Sequence, residues 1–584
     1  MKPQLSILIP TRNRRHLLAR TLASLSRQST PPGTFEVIVA SDGSTDGTPE
    51  AIQQIASLPA WSGRTLLCLE QEWRGASAAR NTALRAASGD IVLYLDDDVV
   101  AHPDLVAEHL RRHKEVQGND LVVLGRIIPE RRPEAIHRQL RLWWRGHYTR
   151  LEGKPATFGA FFTGNVSLPR EAALAVGGLD ENIDYVEDVE FGYRLAKQGL
   201  TFAHEPGATA LTHNPKAPAA VLRDLYRIGQ GNVHMYRKFP ETLPDMPLSA
   251  YGETNLRMRV ALRLLLGASR VRPAGFLINF MFERWAASTT VRKLDRQMFE
   301  LARAYYFWRG VRAEVSDQGE WARLSSPGVP VLTYHSVERM PSIADDRYTV
   351  STTTFGRQMS LLKLMRYRVE PLAKIVDTWN AGELPEPRAV ALTFDDGYVD
   401  NSTDAWPVLR KMGYPATLFF VTGLAGRASL WDESLTPGPK PLLPWHEAIR
   451  LDHEGFKVEA HSVNHPDLAA IPPEAAEQEV TGSKRDLEEH LGRTVELFAY
   501  PYGHYNAAVR DHVQRSGYRA AFSVARGLNT LKTDRFALRR VTISGDDNLL
   551  MFALKVWAGD DPLRFIPGFS RITNRERRRG RKRS

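Results

Sequence analysis

A single cysteine, Cys68, in 584 residues excludes an intrachain disulfide, and a chain of this length needs no such staple to build a core. Long apolar runs are also missing. The tracts VALRLLLGA (260–268) and PAGFLINFMF (273–282) are separated by arginines and fall short of the ~18 residues that a spanning helix needs. The opening MKPQLSILIP has too short an apolar stretch for a secretory leader and no small-residue cleavage site. It reads as a first strand, and the expectation is a cytoplasmic protein without a transmembrane helix.

Net charge is scarce in the body of the chain. The formal net charge is +10, but the stretch RITNRERRRGRKRS (571–584) holds eight basic residues and one acidic, so +7 belongs to this tail and +3 to everything else. A balanced body argues against a specific nucleic-acid partner. The tail reads as disordered and solvated, with peripheral attraction to an anionic membrane as its expected interaction, helped by the linker helices. With 43% hydrophobic and 25% charged residues the remainder is ordinary globular protein, long enough for two or three domains.

From Leu5 to about Gly207, apolar runs (LSILIP, FEVIVAS, DIVLYLD, LVVLG) alternate with stretches of helical spacing such as RRHLLARTLASLSRQ. That alternation predicts an α/β fold with a mostly parallel sheet covered on both faces, its ligands at the carboxyl ends of the strands. Residues from about 215 to 325 are rich in Arg, Leu, Phe and Trp at helical spacing and predict a helical extension and linker. After LSSPGVP (324–330), a second alternating region runs from VPVLTYHSV through AVALTF, ATLFFV, FKVEAHS and VELFAYP to AAFSV. Here a distorted (β/α) barrel and an open sheet fit equally well. The expected domains are 1–240, 241–325, 326–570 and the tail 571–584.

In the first region, FEVIVASDGSTDGT places Asp42 just past a strand, WRGASAARNTAL carries Arg80, and the strand IVLYL delivers Asp96, Asp97 and Asp98. Three carboxylates at one strand end repel one another, and a hard divalent cation, Mg²⁺ or Mn²⁺, would relieve that. Further on stands FTGNVSLPREAALAVGGLDENIDYVEDVEFGYRLAKQG (162–199). With IPTRNR, SDGSTDGT and LDDDV in that order, residues 4–240 resemble glycosyltransferase family 2. The resemblance implies a Rossmann-like domain of the GT-A type and inverting transfer from a nucleotide-sugar donor, UDP-linked by expectation. It also implies Asp42 at the nucleobase, Arg80, Asp96 and Asp98 at the donor, Asp98 at the metal, and Asp188 as the base that deprotonates the acceptor. His213 in ALTHNP is a further candidate metal ligand. Processive members carry Gln-x-x-Arg-Trp after the base, whereas QLRLW (139–143) has Leu142 in place of that Arg and precedes Asp188. Non-processive addition is therefore expected.

In the second region, His461 and His465 stand four positions apart in VEAHSVNHPDL, 65 and 69 residues after Asp396 of AVALTFDDGYVD. Two histidines and a carboxylate leave a fourth zinc position open for water. With YPYG at 500–503, the ordered set TFDDG, HSVNH, YPYG resembles the polysaccharide deacetylases of carbohydrate esterase family 4, over residues 328–545. That resemblance implies a barrel domain, Asp396, His461 and His465 on Zn²⁺ or another divalent transition metal, Asp395 as general base, and the backbone N–H of Tyr502 at the oxyanion.

Two departures follow. Ala499 stands where many members have an arginine, so Arg539 or Arg540 of ALRRVTI is the candidate to orient Asp395. No histidine follows His512, where the family usually has a late Leu-x-His; His335 of VLTYHSV is the candidate general acid and His504 the second choice. The whole reads as a bifunctional carbohydrate enzyme. It would transfer a sugar, expected to be an N-acetylhexosamine, to a carbohydrate or lipid-linked acceptor and deacetylate an N-acetylated sugar. The alternative is a transferase with a catalytically inactive, carbohydrate-binding second domain.

Overall fold

LSILIP, FEVIVAS and DIVLYLD become neighbouring strands of one sheet. The computed structural model describes residues 2–116, 120–213, 216–339, 348–429, 431 and 439–560; the basic tail 571–584 lies outside these described residues. The chain divides into two units. One comprises Met1–Pro240 and Arg257–Ser316, the other Glu241–Leu256 and the chain from Asp317 onward. The segment expected as a linker is thus shared out, with its central helices in the first unit and its ends in the second.

In the first unit, β1 (Leu5–Thr11), β2 (Phe35–Asp42), β3 (Thr65–Gln71), β4 (Ile91–Leu95), β5 (Val99–Ala101), β6 (Leu121–Pro129), β7 (Asn165–Pro169) and β8 (Thr201–Thr212) form a sheet in the order β3-β2-β1-β4-β7-β6-β8-β5. β3, β2, β1 and β4 are parallel, and β7 runs against both β4 and β6. All eight residues of β2 are buried, as a strand covered on both faces requires. Side chains alternate between two cores: Leu8, Ile38 and Tyr94 face one way, Ile7, Val37 and Leu93 the other. β1 lies between β2 and β4, so crossovers leave it in both directions and open a crevice at the carboxyl ends. Asp42 ends β2 and Asp96 follows β4, both at that crevice.

In the second unit, the strands are β9 (Val331–Tyr334), β10 (Ser336–Glu338), β11 (Thr349–Ser351), β12 (Arg368–Val369), β13 (Ala389–Phe394), β14 (Ala416–Phe420), β15 (Phe456–Ala460), β16 (Leu497–Ala499), β17 (Ala520–Phe522) and β18 (Val541–Thr542). β10 and β11 pair separately; the main sheet runs β17-β16-β15-β14-β13-β9-β18 with β12 beside β13, every pairing parallel. Its two edges are joined by one irregular segment. Leu538 N–H donates to Ala521 O of β17 at 2.9 Å, and five residues on Ile543 N–H donates to Thr333 O of β9 at 3.0 Å. The sheet thereby curls into the distorted barrel that was expected, and Arg540 is carried into its wall with no exposed surface. Among the described residues no helix is long and apolar enough to cross a membrane.

Candidate active sites

At the crevice of the first unit, Asp42 accepts from Gln71 Nε2 and Arg74 N–H at 2.8 Å and from Gly75 N–H at 2.9 Å. Its carboxylate thus fixes the loop that opens the helix Ala76–Ala86. Beside it the guanidinium of Arg12 stacks over exposed Trp73, 4.8 Å from the ring centre.

The aspartate triplet is compensated by arginines. Arg80, buried, donates to Asp96 Oδ1 at 2.9 Å. Arg14 bridges the other two, with Nη1 on Asp97 and Nη2 on Asp98, each at 2.6 Å. Asp97 also accepts from Thr11 Oγ1 at 2.7 Å. Burial pushes the Asp97 carboxyl up to about 6 against the pull of Arg14. Two arginines, Arg14 and Arg80, thus offset part of the repulsion within the triplet. Arg14 lies in IPTRNR, but no pattern in that motif says which carboxylates it reaches.

His213 follows β8, its N–H donating to Asp98 O at 2.9 Å. Both of its ring nitrogens are buried without a hydrogen-bond partner, and burial lowers its pKa. A neutral imidazole with one open lone pair next to an aspartate fits a divalent cation. Among the described residues, however, Asp96, Asp98 and His213 do not form a three-member group with ligand atoms within metal reach of one another.

Asp188 lies in the first turn of the helix Glu187–Lys197, entered through Val186 at φ +72°. A β-branched residue in that region is strained, and it is held from below, where Gly231 packs so tightly on Tyr185 O that a Cβ would collide. Asp188 Oδ1 accepts from Val189 N–H at 2.8 Å. Burial and the neighbouring Glu187 charge push its carboxyl up to about 8, with Arg80 pulling the other way. Glu187, missed in the sequence, also lies 3.6 Å from Arg80 Nη1; it links the base region to Asp96 through one guanidinium.

In the second unit the candidate residues converge at the carboxyl ends of β9, β13, β15 and β16. Asp396, His461 and His465 are all buried, with one ligand atom from each within 4.8 Å of the others. The Nε2 atoms of His461 and His465 lie 3.4 and 3.3 Å from Asp396 Oδ1. His461 Nδ1 donates to Ala499 O at 2.8 Å, which leaves Nε2 as the lone-pair nitrogen. Trp431 covers His465 with ring centres 4.0 Å apart, and Tyr502 lies 4.7 Å from it. Trp431 was not legible in the sequence, since it belongs to no spacing pattern.

Asp395 accepts from Arg540 Nη1 at 2.6 Å, and Arg540 Nε donates to Ser523 O at 3.0 Å. Of the two candidate arginines, Arg540 is the one at the carboxylate. Burial would raise the Asp395 carboxyl, but Arg540, His461 and His335 outweigh it and hold it below its usual value. Asp396 is held well below its usual value by the two adjacent histidines, against the cost of burial. His335 follows β9, whose Tyr334 pairs with Phe394, and its Nδ1 is buried without a partner. His504 instead pairs with Asp467 at 2.8 Å on the exposed surface. Of eight non-glycine residues at positive φ among those described, Asp396, Ser462, His465 and Tyr502 all belong here. At about 1–3 kcal/mol each, such strain persists where the surroundings over-determine it.

Residues 6–175 match the model of Glycosyl transferase family 2, and residues 383–521 that of Polysaccharide deacetylase. The chain therefore joins a family 2 glycosyl transferase region to a polysaccharide deacetylase region. Over 274 residues it is 32% identical to validoxylamine A glucosyltransferase of Streptomyces hygroscopicus subsp. limoneus, covering 42% of this chain and 58% of that protein. Over 235 residues it is 26% identical to the Bacillus subtilis protein YxkH, whose name places it among the polysaccharide deacetylases, covering 40% of this chain and 78% of YxkH. It is also 22% identical over 265 residues to the poly-beta-1,6-N-acetyl-D-glucosamine N-deacetylase of Staphylococcus epidermidis, 43% of this chain and 90% of that one.

Removing Arg540 strands a buried carboxylate. Arg540→Met should destabilise the second unit by about 3–5 kcal/mol, read as a lower urea midpoint for its unfolding; an unchanged midpoint would mean that the pair is not structurally required.

Proposed function

We propose that the chain is a bifunctional carbohydrate enzyme. It combines inverting, non-processive transfer from a nucleotide-sugar donor with hydrolytic N-deacetylation of an acetylated sugar. The observation that carries this reading is the buried Asp396, His461 and His465 cluster with Asp395 fixed beside it by Arg540, in a different unit from Asp96, Asp98 and Asp188.

For transfer, Asp42 serves the nucleobase, and Arg80, Asp96 and Asp98 serve the donor diphosphate. Mg²⁺ or Mn²⁺ at Asp98 and His213 would offset charge on the leaving diphosphate. Asp188 takes the acceptor hydroxyl proton; burial and the neighbouring Glu187 raise its carboxyl, which makes it a stronger base than an ordinary aspartate. An N-acetylhexosamine from a UDP-linked donor, placed on a lipid-linked acceptor, would suit both units.

For deacetylation, Zn²⁺ or a similar ion held by Asp396, His461 and His465 would supply Lewis acidity toward water and the acetyl carbonyl. Asp395, oriented by Arg540, accepts the proton of the attacking water. The backbone N–H of Tyr502 would hold the oxyanion, and His335 would return a proton to the departing nitrogen. The name of the Staphylococcus epidermidis relative supports an N-acetylated sugar as substrate. Tethering raises the effective concentration of one unit's product for the other, which fits a cytoplasmic enzyme whose basic tail is drawn to an anionic membrane.

Purified protein incubated with a panel of nucleotide sugars and a membrane lipid extract tests both halves. Asp188→Asn should lose transfer by at least about 100-fold and keep acetate release, and Asp395→Asn the reverse. Both activities surviving both substitutions would sink the proposal, and an absence of acetate release from the wild type would favour a binding module. His335→Ala should slow acetate release about 100-fold while metal content stays the same; unchanged turnover would remove His335 from the mechanism.

A further inference from the structure

The helix Arg272–Ala286 of the first unit has two apolar faces, and only one of them is used. Gly275, Phe282, Trp285 and Ala286 are buried where it packs on the helices Ala135–Leu151 and Pro218–Lys238. Asn279 pins the rotation, its Oδ1 accepting from Tyr306 OH at 3.2 Å and Arg309 Nη1 at 2.9 Å. The opposite face carries Phe276 (70% exposed), Leu277 (62%), Phe280 and Met281, with the Phe276 and Phe280 rings stacked. Leu264 of the preceding helix and Val271 of the turn are exposed as well. Of the twenty exposed large apolar side chains among the described residues, eight fall within 264–294, a concentration beyond the scattered exposure that surfaces tolerate.

Charge decides what would cover this face. Residues 256–294 hold eight basic residues and one acidic, Glu283, and Arg270 and Arg272 are exposed where the helix begins. A second copy docking face to face would bring like charges together. An anionic lipid surface accepts both features: apolar side chains enter the headgroup and acyl boundary while arginines meet the phosphates.

We propose that the Phe276, Leu277, Phe280 and Met281 face, with its arginines, is a monotopic docking surface for anionic membrane. It neither spans the bilayer nor depends on the tail, and it does not rest on the assignment of either catalytic unit. For the proposed lipid-linked acceptor it would bring the first unit to the layer where such an acceptor resides.

The test is co-sedimentation of the full-length chain with vesicles of phosphatidylcholine alone or mixed with phosphatidylglycerol. The wild type should bind the anionic vesicles more tightly, with affinity falling as salt rises. Phe276→Ser, Leu277→Ser, Phe280→Ser and Met281→Ser together should weaken binding at least about tenfold with the tail intact. Arg270→Glu with Arg272→Glu, on the outer surface and harmless to folding, should weaken anionic binding and flatten its salt dependence. A chain ending at residue 570 should keep most of the binding. Circular dichroism and melting should be unchanged in the charge variant. Binding that survives both surface variants, or that vanishes with the tail alone, would overturn the proposal. So would a wild-type dimer that the serine variant dissociates, since the occupant would then be a second copy.

Discussion

Carboxylates set side by side at the ends of buried parallel strands repel each other and lose hydration, so each needs a positive neighbour to stay charged. In this chain two of the three neighbours, Arg14 and Arg540, come from far away in sequence. Arg14 and Arg80 serve Asp96, Asp97 and Asp98; Arg540 serves Asp395, 145 residues distant. Where the compensation falls short the carboxyl titrates upward, as at Asp188, and where it is ample the carboxyl is held down, as at Asp395 and Asp396. The two units thus begin from the same difficulty and end with opposite electrostatics.

That difference follows from how each sheet is built. In the first unit β1 turns out of the sheet with Arg14 following it, at the point where crossovers diverge, so a guanidinium reaches two successive aspartates. In the second unit the sheet curls until its edges are joined by the segment carrying Arg540, which reaches the centre of the barrel end from the wall. His335 arrives there because β9 lies directly beside β13. A residue early in the domain is thereby placed among groups that the sequence spaces over more than a hundred positions.

Much of this was legible beforehand, because hydrophobic period and turn position are local properties. The strands ending in Asp42, Asp96 and Asp395, the helix beginning near Asp188, and the pairing of Asp396 with His461 and His465 all follow from runs that stop abruptly at polar residues. The partners were less legible. Arg14 sat in a motif without a readable target, Glu187 was overshadowed by Asp188, and Trp431 covers His465 from a loop whose spacing carries no signal. The choice between Arg539 and Arg540 depended on which side of an irregular strand faces the barrel. The cationic apolar face of Arg272–Ala286 was half visible: the composition was plain in the sequence, but its outward orientation depends on the packing of Phe282, Trp285 and Asn279.

The account turns on the two units meeting one constraint in different ways, with Arg14 and Arg80 beside the first triplet and Asp396, His461 and His465 proposed to hold a transition metal in the second. Metal content of the purified full-length chain tests this most directly. The account predicts about one tightly held transition-metal ion per chain, retained when Asp96 and Asp98 are both changed to Asn and lost when His461 and His465 are both changed to Ala. A tightly held ion that persists without the two histidines, or that is lost with Asp96 and Asp98, would contradict it.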